Sequence, residues 1–598
     1  MKQHITRFEI AGRRETRPYR SDIKGPNSRR ANIDSMGQRY HEVLDSVTSE
    51  LNSRMSRLAA SWKADNGEAL RVALAPTRDA AHGDFATAVA LAAAKAWKRN
   101  PLEIAQAIVA EGASNLSGVA RIEAVKPGFV NITMAPNFWN DVVLDVLHLG
   151  SGYGTSDALA SAGPMLVEFV SANPTGPLVV VQGRSSALGA TLVAMLRFAG
   201  CKTGSETYIN DTGTQLDLLA DSLYARYATL LGVDAAVPED GYSGEYLIDL
   251  ARALVARDGD RWLHVPVEER RTVLGRFARD LIVDDQRADL ERFRVHFDHW
   301  TSETTLHESG AIEKAIEELR AGGHVYEKDG ALWLRSRAFG DDKDRVLIRN
   351  DGRPTYLAAD AAYHADKLRR GNRYLIDILG PDHHGYIARL AALVAALGHP
   401  GKLEVLLAQH VTFKRGGETV SMSKRAGDLI TLREVMDQVG VDAARFFFIN
   451  RAPESHLVFD LELAVEQSAK NPVYYVQYGH ARIASILRKA AEGREALVER
   501  AAQGRDVGKL GHPTEIALIR RLADFGRTVS SAAEARAPHR LAEYTHSVAT
   551  DFHAFYTECI VLTDDDALTS ARLSLCLATK TVLASALGLI GVSAPDAM

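Results

Sequence analysis

The stretch that most limits how this chain can fold is residues 164–198, PMLVEFVSANPTGPLVVVQGRSSALGATLVAMLRF. A short apolar run reaches Glu168, a loop punctuated by Pro and Gly follows, and the spacing then turns helical. Strand, tight loop and helix is the repeating unit of a parallel sheet covered by helices. YLIDILGPDHHG, at 374–385, repeats the strand-to-turn half of that unit. Residues 141–455 are therefore expected to form one α/β domain, with long helical insertions between about 215 and 320. On either side the grammar changes. Residues 38–140 read as a small α+β module: YHEVLDSVTSELNSRMSRLAASW and DFATAVALAAAKAWKRNPLEIAQAIVAEG have helical spacing, and VARIEAVKPGFVNITMA alternates and turns at Pro127–Gly128. Residues 456–598 read as almost wholly helical, and the basic, Pro- and Gly-broken residues 1–37 as a disordered extension.

Composition narrows the function classes. With 598 residues the chain exceeds one core. No uninterrupted apolar run approaches the roughly 20 residues of a membrane helix, so no membrane partner is expected. A net charge of −5 does not advertise nucleic-acid binding, which would need a local basic patch. Cys201, Cys559 and Cys576 are too scattered for a disulfide framework or a zinc site, and a reducing cytoplasm is the expected setting.

Three places carry chemistry. Glu168, Ser171 and Asn173 put a carboxylate, a hydroxyl and an amide at a strand's carboxyl end, where ligands of parallel sheets bind and where an ammonium or guanidinium would be suited. Ser171 and Asn173 taken alone fit turn hydrogen bonds equally. Tyr356 and Asp360, four apart, share one helix face and can stack on and fork a planar cation; a packed tyrosine beside a solvated charge is the alternative. Asp382, His383 and His384 follow another strand, but adjacent histidine side chains diverge and no third ligand is placed, so contact with substrate or ribose is expected before a metal. Lys424 and Arg425, in SMSKRAGDLITL, sit where two cations could close over a pyrophosphate.

Together with HGDFATAVA, YINDTGTQ, GALWLRS, GDDKDRVLIRNDGRPTY, DAARFFF, NPVYYVQYGHARI and the terminal GVSAP, these strings closely resemble arginyl-tRNA synthetases, class I aminoacyl-tRNA synthetases, over about residues 45–598. The resemblance implies a tRNA-contacting N-terminal module, a Rossmann-like catalytic domain and an all-α anticodon-binding domain. It implies an arginine pocket of Glu168, Ser171, Asn173, Tyr356 and Asp360 with His384 nearby. ATP would meet Val179, Val181, Gln182, Gly183, Asp382, His383, Met422, Ser423 and Lys424, with Gln182, Lys424 and Arg425 as the catalytic groups. Tyr474, Tyr478, Arg482 and Met598 would face tRNA(Arg), and at least one of Tyr474, Tyr475 and Tyr478 is expected in the core. The implied reaction uses ATP with Mg²⁺, no metal site of the protein's own, and a monomer: arginine is adenylated, generally once tRNA is present, and passed to tRNA.

The family's first signature, His-Val-Gly-His, falls at positions 179–182, here Val-Val-Val-Gln. Two imidazole donors become hydrocarbon and an amide, and Val181 is expected to project into the space that the signature's glycine leaves to adenine. Ser421 also replaces the usual first lysine of the second signature. Three outcomes stay open: a ligase whose ATP site is rebuilt on Gln182, Lys424 and Arg425, a non-ligating paralogue that binds arginine, tRNA or both, and a protein that gives arginine to another acceptor.

Overall fold

The computed structural model describes residues 39–64, 70–77, 80–110, 112, 116–420 and 430–598; the extension expected at 1–37 lies outside them. Residues up to Met134 and residues from Ala135 to Met598 form two compact units.

In the first unit, helix Arg39–Ser61 precedes a four-stranded antiparallel sheet ordered Ala75–Pro76, Phe85–Thr87, Phe129–Met134, Val119–Val125. The expected hairpin is present, with Val125 opposite Phe129. At its turn a Cβ on Gly128 would lie 2.7 Å from Pro101 Cβ, so only glycine fits. The single helical stretch read in residues 84–112 is instead strand Phe85–Thr87 and helices Val89–Trp97 and Pro101–Val109. The break is local chemistry: Asn100 Oδ1 accepts the Leu102 N–H at 2.9 Å and Pro101 opens the next helix.

The second unit is built on a five-stranded parallel sheet. Strands β1 (Met165–Glu168), β2 (Thr203–Ile209), β3 (His299–Ser302), β4 (Tyr374–Leu379) and β5 (Leu403–Leu407) lie in the order β5-β4-β1-β2-β3. Chain order therefore reverses between β1 and β4, which opens a crevice at their carboxyl ends. The helices that frame it are α1 (Val180–Phe198), α2 (Val267–Arg292), α3 (Glu303–Glu308), α4 (Tyr356–Arg369) and α5 (Leu432–Val439). Gly189 lets α1 settle on the end of β1, because a Cβ there would come 2.2 Å from the Phe169 ring. The region between 215 and 320 is not wholly helical: β3 returns to the sheet edge within it, and its four residues, HWTS, are too short and too polar to show a strand period.

The chain ends in a helical bundle containing α6 (Pro472–Ala502) and α7 (Asp566–Ile590). Helix α6 is two helices joined at Glu492–Arg494, with Gly493 at φ +98°. By length and composition α7 could cross a membrane, although Arg572 and Lys580 interrupt it; most of it is buried, packed against α6.

Candidate active site

A row of three carboxylates lies beside the crevice. Glu168 at the end of β1 is in register with Asp377 on β4 and with Glu206 on β2, so the three side chains leave one face of the sheet from adjacent strands. All three are buried. Like charges so placed repel, and the α4 segment lays cations over them at three-residue spacing. Lys367 pairs with Glu168 and, at 2.9 Å, with Asp377 Oδ1. Arg370 Nη2 lies 2.6 Å from Glu206 Oε2, and His364 Nε2 lies 2.9 Å from Asp377 Oδ2. Burial opposes the charges on Asp377 and Lys367, yet Lys367 and His364 hold Asp377 well below the usual carboxylate range, and Asp377 and Glu168 hold Lys367 above the usual ammonium range. Burial pushes the Glu168 carboxyl up, whereas the Lys367 ammonium and the Ser171 hydroxyl, both donating to it, pull it back.

Past this row the charge is uncompensated. Among the described residues the Asp360 carboxylate has neither a hydrogen-bond nor an ion-pair partner. Burial raises its pKa to about 6, with His364 opposing the rise and Glu168, Glu303 and Asp377 adding to it. Glu303 is buried at the start of α3, and burial together with the Glu303 charge pushes the Tyr208 hydroxyl on β2 above its usual range. Tyr356, one turn before Asp360 at the open end of α4, is 65% exposed.

The loop after β1 is strained and then braced. Val170 and Ser171 adopt left-handed φ values of +76° and +38°, a cost that persists only where neighbours enforce it. Ser171 Oγ donates to Glu168 Oε1 at 2.6 Å, and Ser185 Oγ accepts the Val170 N–H at 3.4 Å. From the α2 side, Gln286 Nε2 donates to the carbonyls of Asn173 (3.2 Å) and Gly176 (2.8 Å), and the Tyr246 hydroxyl donates to Thr175 O at 2.5 Å. Asn173 itself is exposed.

At the first signature, Val179 caps α1 but offers no side-chain acceptor. Gln182 supplies half of a capping box, its Oε1 accepting the Val179 N–H at 2.8 Å. This leaves the Gln182 Nε2 group as the amide's donor, beside the half-buried Val179 and Val181. The backbone pairs this segment with the one following the second signature: Leu432 N–H donates to Leu178 O at 2.8 Å, and Val180 N–H to Ile430 O at 3.3 Å. Gly183 permits the approach, since a Cβ would lie 2.8 Å from Leu432 Cδ1. Arg184, fully buried, donates to the carbonyls of Gln409 (2.7 Å), Ala452 (2.9 Å) and Ser455 (2.9 Å). Ser421, Met422, Ser423, Lys424 and Arg425 lie outside the described residues.

Asp382 and His383 are exposed in the turn Pro381–Tyr386 that follows β4; His384 is in the same turn, its side chain outside the described part. In the bundle, Tyr478, Arg482 and Met598 line one cavity of 670 Å³ with Arg488, Lys489 and Tyr556. The Tyr474 and Tyr478 rings stack at 6.0 Å, and the Arg482 guanidinium lies 4.7 Å from the centroids of both Tyr478 and Tyr556. The expectation that one of the three tyrosines would be core is corrected: Tyr474, Tyr475 and Tyr478 are each half-buried, Tyr475 resting on His546 and His553 at 5.0 and 4.7 Å.

Sequence reasoning passed over Lys367, His364, Asp377, Glu206, Arg370, Glu303, Tyr208 and Gln286. A usable signal existed for part of the row, because the apolar runs MLVEFV and YLIDIL each carry one acid and DAAYHADKLRR carries cations three residues apart, whereas Glu206 lies in the polar strand TGSETYI.

A helix N-terminus and an acidic pocket at the switch point of a parallel sheet, followed by a helical bundle, place the chain among class I aminoacyl-tRNA synthetases, and the description "tRNA synthetases class I (R), catalytic domain" matches residues 152–484. The "Arginyl tRNA synthetase N terminal domain" matches residues 43–134 and the "DALR anticodon binding domain" residues 476–598. The arginine–tRNA ligase of Heliobacterium modesticaldum is 46% identical over 529 residues, covering 88% of this chain and 94% of that protein. That of Symbiobacterium thermophilum is 44% identical over 558 residues, covering 93% and 99%. The arginyl-tRNA synthetase structure from Thermus thermophilus shares the fold, with a TM-score of 0.69 at 24% identity over 92% of this chain and 100% of that one. The chain belongs to the arginyl-tRNA synthetase family.

Proposed function

We propose that the chain is an arginine–tRNA ligase that adenylates arginine with ATP and passes it to tRNA(Arg), with the first step slowed by the altered signature. The observation that carries this reading is the unpartnered, half-buried Asp360 carboxylate beside Glu303 and one turn from the exposed Tyr356 ring. A guanidinium satisfies all three groups: it forks to carboxylates, stacks on the ring and neutralises the excess charge. Ser171, Asn173 and His384 then lie toward the α-ammonium and carboxylate, with Glu168 anchoring the loop through Ser171.

In the first step a carboxylate oxygen of arginine bonds to the α-phosphorus, the α–β phosphoanhydride breaks, and pyrophosphate leaves. In the second, a hydroxyl of the tRNA terminal ribose attacks the arginyl carbonyl and AMP leaves. ATP lies along the N-terminus of α1, where Gln182 Nε2 meets phosphate at the positive end of the helix dipole, with Gly183, Asp382, His383, Met422 and Ser423 around it and Lys424 and Arg425 on the leaving group. Mg²⁺ would enter the reaction with ATP, held by its phosphates. The face of Tyr474, Tyr478, Arg482 and Met598 receives tRNA(Arg). A cytoplasmic monomer completes the reading.

Val179 and Val181 favour one alternative, an arginine- or tRNA-binding paralogue that does not ligate. Arginine-dependent ATP–pyrophosphate exchange with tRNA(Arg) present decides between them. The native chain should exchange, and Val179→His, Val181→Gly, Gln182→His together should raise the rate by about 100-fold or more, the typical worth of one preorganised donor. No exchange by the native chain, with arginine and tRNA still bound, overturns the ligase in favour of the paralogue.

A further inference from the structure

The acidic row and its cations balance only if one histidine is charged. Glu168, Asp377 and Glu206 bring three negative charges onto one face of the sheet; Lys367 and Arg370 supply two positive ones. The remaining partner is His364, 2% exposed. Its Nε2 lies 2.9 Å from Asp377 Oδ2 and its Nδ1 lies 2.8 Å from the Asp360 backbone oxygen. A carbonyl oxygen can only accept, and Asp377, which also accepts from Lys367, is a carboxylate. Both ring nitrogens must therefore donate, which a neutral imidazole cannot do. Hydrogen bonding to Asp377 and the Asp377 and Asp360 charges raise the pKa of His364, against burial and the neighbouring Lys367 ammonium.

We propose that His364, held as an imidazolium between Asp377 and the Asp360 carbonyl, is a positioning residue of the arginine pocket: it fixes the backbone under Asp360 and is the counter-charge that lets Asp360 wait for the substrate guanidinium as a bare carboxylate. This rests on the reading of Asp360 as the guanidinium partner. The groups facing the pair come from every element around them: Glu168 from β1, Tyr208 from β2, Glu303 from α3, Asp377 from β4, and Tyr363 and Lys367 from α4 itself. Of these only Lys367 and His364 are cationic, and Lys367 is spent on Glu168 and Asp377. His364, paired with Asp377 and donating to the Asp360 carbonyl, is thus a cation shared between the row and Asp360.

The test is arginine affinity of the full chain by calorimetry from pH 5 to 8, for the native protein, His364→Gln and Asp360→Asn. Removing a nearby opposite charge moves a carboxyl pKa upward by about one or more. The acid limb of arginine affinity should therefore move up by about one pH unit in His364→Gln, which makes binding about fivefold weaker at pH 6 and nearly native at pH 8. A loss of equal size at every pH, or an unmoved limb, overturns the proposal, because a residue that only held the fold would not move a titration. If Asp360→Asn binds as the native chain does, the pocket reading itself fails, whatever His364 does. Should His364→Gln not fold, ¹⁵N-histidine spectra of the native chain at pH 8.5 replace it. One imidazolium with both nitrogens protonated among the 20 histidines is expected, and none would refute the proposal.

Discussion

Lowering the pH from 7 to 5 should weaken arginine binding about tenfold through Asp360. With a pKa pushed up to about 6, the carboxyl is about nine-tenths ionised at pH 7 and about one-tenth at pH 5. Only the ionised form forks a guanidinium, whereas arginine's own guanidinium and α-ammonium stay charged across the window. The raised pKa acts on stability too. Below an ordinary carboxyl pKa, Asp360 is protonated in folded and unfolded chains alike; as the pH rises through about 6 the folded chain surrenders a proton its pocket favours. A stabilisation present in acid is therefore lost toward neutrality, about 3 kcal/mol for a carboxyl carried from its ordinary pKa up to about 6. Bound arginine replaces that proton with a cation and restores it. Calorimetry at pH 5, 6 and 7, with circular dichroism to confirm folding, reads the affinity. Asp360→Asn is the control: it should bind weakly and without pH dependence, which separates Asp360 from the neighbouring His307, 3.5 Å from Glu303. A native affinity constant within twofold between pH 7 and 5 would refute the argument that this carboxyl is desolvated, unpaired and waiting for a cation.

Lys367→Met leaves Glu168 and Asp377 buried without their shared ammonium and should cost about 3–5 kcal/mol in urea unfolding, part of it recovered by adding Glu168→Gln. Arg184→Leu strips the donor from three carbonyls and should lower stability by about 3 kcal/mol in the same assay, with α1 loosened most in hydrogen exchange. Arg482→Ala removes the guanidinium held between Tyr478 and Tyr556; tRNA(Arg) affinity should fall and its salt slope shrink by about one, while arginine affinity stays unchanged.

The parts of the fold that were legible are those whose causes are local. The strand ending on Glu168, the loop and α1 follow one another in 35 residues, and the hairpin at Pro127–Gly128 needs only its own turn. What was missed depends on segments far apart in the chain. Nothing within DAAYHADK gives Lys367 a partner until β4, β1 and β2, which begin at residues 374, 165 and 203, come into register and place Asp377, Glu168 and Glu206 beneath it. The three half-buried tyrosines make the same point in reverse: the bundle supplies His546 and His553 as ring partners, which helical spacing alone does not disclose.

Helix α4 shows where the limit lies. It carries two aspartates, Asp360 and Asp366, of the same chemistry and six residues apart. At 100° per residue they point to different sides of the helix. Asp366 takes the ordinary course of a surface acid, paired at 2.9 Å with Arg370 one turn on. Asp360 shares a face with Tyr356, His364 and Lys367 at spacings of four and three, and that face turns toward the carboxyl ends of the strands. Helical phase therefore identifies which aspartate enters the site. Only the sheet register shows why it enters without a partner: Lys367 and Arg370 are committed to the acidic row and His364 reaches the Asp360 carboxylate by its charge alone, so the hydrogen-bonding cation that completes Asp360 has to come from the ligand.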